Sequence, residues 1–176
     1  FGSDHDTGAR VAKLAAGTLA IVPAWCALAL IHAQKPNGHF WLLLALLLVW
    51  AADTGAYFAG RHFGGKIFGR KLAPRISPNK TIEGVIGGLL LSVAIALAGA
   101  LLIGTKAAQL PAVALVAVVV VLFSVVGDLF ESLLKRHAGV KDSGNLIPGH
   151  GGLLDRMDSV LAALPVFVLG KEWLGF

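Results

Sequence analysis

The chain has 176 residues, 56% of them hydrophobic and only 14% charged, with a mean hydropathy of +0.77 and a net charge of +5. Soluble domains carry about 25% charged residues, so a water-soluble globule is excluded for want of polar surface, whereas a membrane protein needs none because lipid solvates apolar side chains. The single cysteine, Cys26, sits in an apolar run and excludes an intrachain disulfide or a Cys-based metal site.

Residues 1–10, FGSDHDTGAR, are polar and lack the basic-then-apolar pattern of a signal peptide. They are expected to be an artificial leader or a cut within a longer chain. Residues 11–176 are expected to form one all-α domain, a polytopic transmembrane helical bundle of about five spans whose cytoplasmic polar loops build a site. The first span is expected near 11–31, with Lys13 snorkelling and Pro23 able to kink it. The second, near 40–60, opens with the interfacial aromatics Phe40 and Trp41 and carries Asp53, which must face protein or water because an ionised carboxylate in lipid costs several kcal/mol. Residues 61–82 hold Arg61, Lys66, Arg70, Lys71, Arg75 and Lys80 and no acid. Gly64, Gly65, Pro74 and Pro78 break any long helix there, and Phe63, Ile67 and Phe68 among the cations predict a short amphipathic piece on the membrane surface. Thr81 or Ser77 should cap the third span, near 84–103, with Glu83 in its first turn. The fourth, near 110–127, meets no breaker before GDLFESLLKR and is expected to continue beyond the apolar part, putting Asp128, Glu131 and Lys135 on neighbouring turns. The last span is expected near 159–176.

Segments 61–82 and 128–158 hold six and four Lys/Arg, against one each in the turns 32–39 and 104–109. Two spans separate the two rich segments, so both emerge on one face, which the positive-inside rule makes cytoplasmic. Such flanking cations speak for topology and an anionic substrate rather than for nucleic acid.

On that face gather Asp128, Asp142, Asp155 and Asp158. Clustered carboxylates repel unless neutralised, and oxygen donors without Cys favour a hard cation, Mg²⁺ first. Asp155 and Asp158, three apart, share a helix face, but acids at a helix start also serve simply as solvated charges matched to the dipole. Lys80, Lys135, Arg136, Lys141 and Arg156 can bind phosphate. GHGG at 149–152 offers backbone N–H groups ahead of a helix N-terminus, without P-loop spacing. Carboxylates, cations and a Gly-rich turn together suggest phosphoryl or nucleotidyl transfer. Of the six histidines only His150, between glycines, is a candidate, for phosphate contact or loop packing rather than as a general base.

The stretch SLLKRHAGVKDSGNLIPGHGGLLDRMD, Ser132 to Asp158, supported by DTGAYFAGRHFGG, SPNKTIEG and GDLFES upstream, resembles the signature of the phosphatidate cytidylyltransferase (CDP-diacylglycerol synthase) family. The resemblance is strong from Trp50 to Ser159. It implies transfer of CMP from CTP to phosphatidate with Mg²⁺, in a bacterial inner-membrane enzyme with its site facing the cytoplasm, and a homodimer. It implies that residues 11–176 are a catalytic domain, a C-terminal fragment of a longer enzyme. It assigns Asp128, Asp155, Asp158 and Glu131 to metal, and Asp128, Asp155, Lys141 and Arg156 to catalysis. Lys80, Asn79, Ser77, Lys135, Arg136, His150, Gly151, Gly152 and Asp53 are assigned to substrate. The rival readings are a CTP-dependent polyprenol kinase, which would release CDP, an ion-coupled transporter using Asp53 and Asp128, and a scaffold. A CDP-alcohol phosphotransferase would need an Asp-Gly-x-x-Ala-Arg motif that the chain lacks.

Overall fold

A computed structural model of the protein describes residues 7–144 and 151–176. Five helices follow one another: α1 Thr7–Ala33, α2 Gly38–Phe63, α3 Ile82–Ile103, α4 Leu110–His137 and α5 Leu154–Leu174. Between α2 and α3 two strands, β1 Lys71–Ala73 and β2 Ser77–Thr81, form an antiparallel hairpin, and a single 3₁₀ turn, Ala107–Gln109, leads into α4.

Four stretches are long and apolar enough to cross a membrane: Leu14–Ala33, Gly38–Phe63, Ile82–Ile103 and Ala107–His137. The chain is thus a helical membrane protein. The fifth expected span is a helix, but it does not match those four. It begins at Leu154 rather than Ser159, so Asp155, Arg156 and Asp158 lie inside its first turns and Lys171 and Glu172 near its end, leaving a shorter apolar middle. As expected, α4 is unbroken to His137.

The stretch 63–68, expected as a short amphipathic piece on the membrane surface, forms no helix of its own. The α2 helix absorbs Phe63, and the chain then turns at Gly64 into the hairpin, because glycine-rich sequence costs too much backbone entropy to nucleate a helix of its own. Thr81, not Ser77, caps α3: its Oγ1 accepts from Gly84 N–H at 3.1 Å, while Ser77 opens β2.

The core joins all four long helices to α5 through Ile31, Leu48, Ala96, Val120, Leu164 and Phe167. Small residues bring the α2 and α3 backbones together. A Cβ on Gly55 would lie 2.6 Å from Gly87 O, and one on Gly88 2.6 Å from Ala52 O, the close approach that replaces the hydrophobic effect as a packing force in lipid. Ser92 Oγ, fully buried, donates to Leu48 O at 2.9 Å across the same seam. This seam holds Asp53 on α2 against the hairpin that precedes α3.

Candidate active site

The polar ends of α2, α4 and α5 meet the hairpin around a cavity of about 240 Å³ lined by Asp53, Asn79, Lys80, Ser124, Asp128 and Ser159. Lys80 reaches from β2 to Asp128, Nζ to Oδ2 at 2.5 Å, and Ser132, one turn further along α4, donates to the other oxygen, Oδ1, at 3.2 Å. Asp53 is influenced electrostatically by Asp128, Asp158 and Lys80, so residues from four elements act on one another here. Lys80 keeps this acid-rich pocket from accumulating unopposed negative charge.

A second group lies beside the first. The side chain of Lys135, 16% exposed, places Nζ 2.6 Å from Asp155 Oδ1 and 3.4 Å from Glu131 Oε2. Asp155 Oδ2 also accepts from Ser143 N–H at 2.8 Å, Ser143 Oγ at 2.9 Å and Gly152 N–H at 2.7 Å. Burial pushes the Asp155 carboxyl up, but the Lys135 ammonium and these three donors outweigh it and hold the group well below the usual carboxylate range. The glycines are required by this contact. Gly151 has φ +81°, and a Cβ there would stand 2.8 Å from Asp155 Oδ2. In the Gly-rich turn, the N–H of Gly152 is given to an anion of the protein itself, the Asp155 carboxylate.

Glu131 is 6% exposed, and neither of its oxygens has a hydrogen-bond partner among the described residues. Asp158 acts on it as a like charge, and Lys135 opposes that. The two halves of the site are welded where α4 crosses α5: a Cβ on Gly127 would meet Ala162 Cβ at 2.6 Å and Asp158 O at 3.0 Å. Asp128 and Asp158 thereby hang from backbones in contact.

From Glu131 and Asp158 a larger groove of about 940 Å³ runs between α1, α4 and α5, walled by residues such as Leu19, Phe123, Phe130, Leu161 and Val166, with His137 also in its lining. Its acidic residues and its apolar wall suit an amphiphile.

Of the residues singled out in the sequence, the structure brings Asp53, Asn79, Lys80 and Asp128 around the first cavity and Glu131, Lys135, Asp155, Asp158 and Gly152 into the second group. Ser77, Arg136, Lys141 and Arg156 line neither cavity, and the last three are exposed. His150 lies outside the described residues. Among the described residues no three His, Cys, Asp or Glu side chains converge as a ready metal cluster. The carboxylate oxygens of Glu131, one of them 3.4 Å from Lys135 Nζ, lie beside the like-charged Asp158 and are hard donors of the kind that could hold Mg²⁺. Two contributors escaped the sequence reading. Ser132 was findable from its i+4 spacing to Asp128, whereas Ser143 acts across a loop that no local pattern announces.

The cytidylyltransferase family profile matches residues 5–172, which takes in the hairpin and every helix but the last residues of α5. The chain belongs to the cytidylyltransferase family. Relatives named phosphatidate cytidylyltransferase include proteins of Pseudomonas aeruginosa, 51% identical over 91% of this chain and 57% of the relative, and Haemophilus influenzae, 50% identical over 74% and 45%. A third, from Bacillus subtilis, is 45% identical over 73% of this chain and 46% of its own length. The chain thus spans about half the length of the curated relatives it matches. Both halves of the site described above fall within the part matched by the cytidylyltransferase profile.

Proposed function

We propose that this chain carries the reaction centre of a phosphatidate cytidylyltransferase, with residues 11–176 as its catalytic domain: CMP passes from CTP to phosphatidate, giving CDP-diacylglycerol and pyrophosphate. The observation that carries the reading is the sharing of Glu131 and Asp158 between a Lys/Asp-lined polar site and a long apolar groove. A reaction joining a water-soluble polyanion to a lipid phosphate needs that junction.

A phosphatidate oxygen attacks the CTP α-phosphorus; the new P–O bond forms as the bond to the β-phosphate bridge breaks, and pyrophosphate takes the electron pair. The attacking oxygen is already anionic, so the site needs charge neutralisation and alignment more than a general base. Lys80 and Lys135 are the cations placed for that work, each exchanging a carboxylate partner for a phosphate oxygen. The apolar groove would take the acyl chains and so set the depth of the lipid phosphate. Mg²⁺, held by Glu131 and Asp158 with Asp128 and Asp155 beside them, would supply further neutralisation of the phosphates.

Arg136, Lys141 and Arg156, all exposed, are proposed to collect the triphosphate. The ten Lys/Arg of segments 61–82 and 128–158 support a cytoplasmic orientation in a bacterial inner membrane. A homodimer is proposed from the family resemblance alone.

The test is incubation of the full-length protein with labelled CTP, phosphatidate and Mg²⁺, with lipid products separated. CDP-diacylglycerol and pyrophosphate are expected in equal amounts, lost in Asp158→Asn and in Lys80→Met. Release of CDP with a phosphorylated lipid would replace the reading with a kinase.

A further inference from the structure

The basic arm that runs from the end of α2 into the hairpin is unused by the chemistry above. Residues 61–75 hold Arg61, Lys66, Arg70, Lys71 and Arg75 with no acid, and none of the five pairs with an acid among the described residues. The carboxylate that follows them in sequence, Glu83, does not neutralise them. It is 4% exposed, and its Oε1 collects the N–H groups of Gly65 at 3.0 Å, Ile67 at 3.3 Å and Phe68 at 3.1 Å. Those three bonds consume the charge in shaping a turn.

The turn they shape presents Ile67 65% exposed and Phe68 50% exposed, next to Phe63 at the end of a membrane-spanning helix. Topology alone would require the cations. It would not require a buried carboxylate to hold two large apolar side chains outward among them. An apolar wedge ringed by cations has one environment that satisfies both parts: the headgroup layer of an anionic bilayer, apolar side chains at the acyl boundary and ammonium and guanidinium groups on phosphates. The arm leaves α2 where that helix ends, which places it at headgroup depth.

We propose that residues 63–75 form a docking surface for anionic phospholipid, with Ile67 and Phe68 as the wedge and Lys66, Arg70, Lys71 and Arg75 as the phosphate contacts. The occupant is the bilayer surface, not a soluble anion. Docking seats the hairpin whose second strand carries Asn79 and Lys80. The inference does not depend on the reaction assigned above, and neither does its test.

The full-length protein, with Cys26→Ser and a bimane label on Phe68→Cys, is reconstituted in vesicles of phosphatidylcholine with a minor fraction of phosphatidylglycerol. Quenching bromines are placed on one lipid or the other at equal mole fraction. Quenching should favour the brominated anionic lipid several-fold, and each cation-to-Gln change should remove part of that preference. Lys66→Gln, Arg70→Gln, Lys71→Gln and Arg75→Gln together should abolish it. Should that variant fail to fold, raised salt on the unaltered arm must remove the preference instead. Equal quenching by both lipids, no quenching at all, or displacement by inorganic phosphate at matched ionic strength would overturn the proposal.

Discussion

Gly127→Ala tests how the acidic residues of α4 and α5 are held together. The added Cβ would sit 2.6 Å from Ala162 Cβ and 3.0 Å from Asp158 O. Carbon atoms pack best at about 3.5–4.0 Å, so the two helices must part by about 1 Å at the point from which Asp128 and Asp158 hang. Overpacking of this kind costs about 1–3 kcal/mol. Opposing it, Ala is favoured over Gly inside a helix by about 1 kcal/mol, so the sign of the net effect is informative: a loose crossing would make the variant more stable, a tight one less. A 1 Å shift at a reaction centre can lower turnover by about 100-fold. Unfolding in mixed detergent should show the variant destabilised, and labelled-CTP turnover should fall by at least tenfold on that scale. Ala162→Gly removes the nearer obstacle and leaves the Asp158 O contact, so the double variant should recover part of both losses, with a coupling of about 0.5 kcal/mol or more. A stabilised Gly127→Ala protein with normal turnover, or additivity of the two changes, would refute the close crossing as the device that sets this spacing.

Lys135→Met leaves buried Glu131 and half-buried Asp155 without their cation and should cost about 3–5 kcal/mol in the same unfolding assay, with Lys135→Arg retaining most of the stability; a loss below about 1 kcal/mol would mean the group behaves as a solvated pair. Thr81→Ala removes the acceptor for Gly84 N–H and should cost about 0.5–2 kcal/mol, while Thr81→Ser should be nearly neutral. The Asp155 carboxyl is depressed in the folded protein, so its contribution is complete above the unfolded value of about 3.9 and is lost as pH falls through the lower folded value. Exchange protection of the Ser143 and Gly152 amides, corrected for intrinsic rates, should therefore be flat from neutral pH down to about 4 and weaken only below it; Asp155→Asn should lower it at every pH. Loss of protection already at pH 6 would show that another group controls the loop.

The spans were legible because lipid makes a severe local demand: every backbone polar group must be satisfied within the segment, and about 20 apolar residues must follow one another. That demand marks Leu14–Ala33, Gly38–Phe63, Ile82–Ile103 and the apolar part of α4 whatever they pack against. The hairpin was not legible, because SPNKT has no apolar alternation and only one β-branched residue, Thr81, and its pairing of Lys71 with Thr81 is a choice between residues ten apart. Nor was the start of α5. Spacing put Asp155 and Asp158 on one helix face, but their polarity kept them out of the span expected from Ser159, and nothing local shows that Asp155 is held there by Ser143, twelve residues away, and by Lys135, twenty away. The acids and cations of the site could be named from motif and charge, but not their pairing. Lys80 might equally have met Asp53, and Lys135 might have met only Glu131 on its own helix. What chooses Asp128 and Asp155 is the approach of α4 to the hairpin and to α5, and that approach depends on Gly127 and on the α2–α3 seam at Gly55 and Gly88. In a membrane, where water does not drive helices together, the residues with no side chain decide which charged side chains meet.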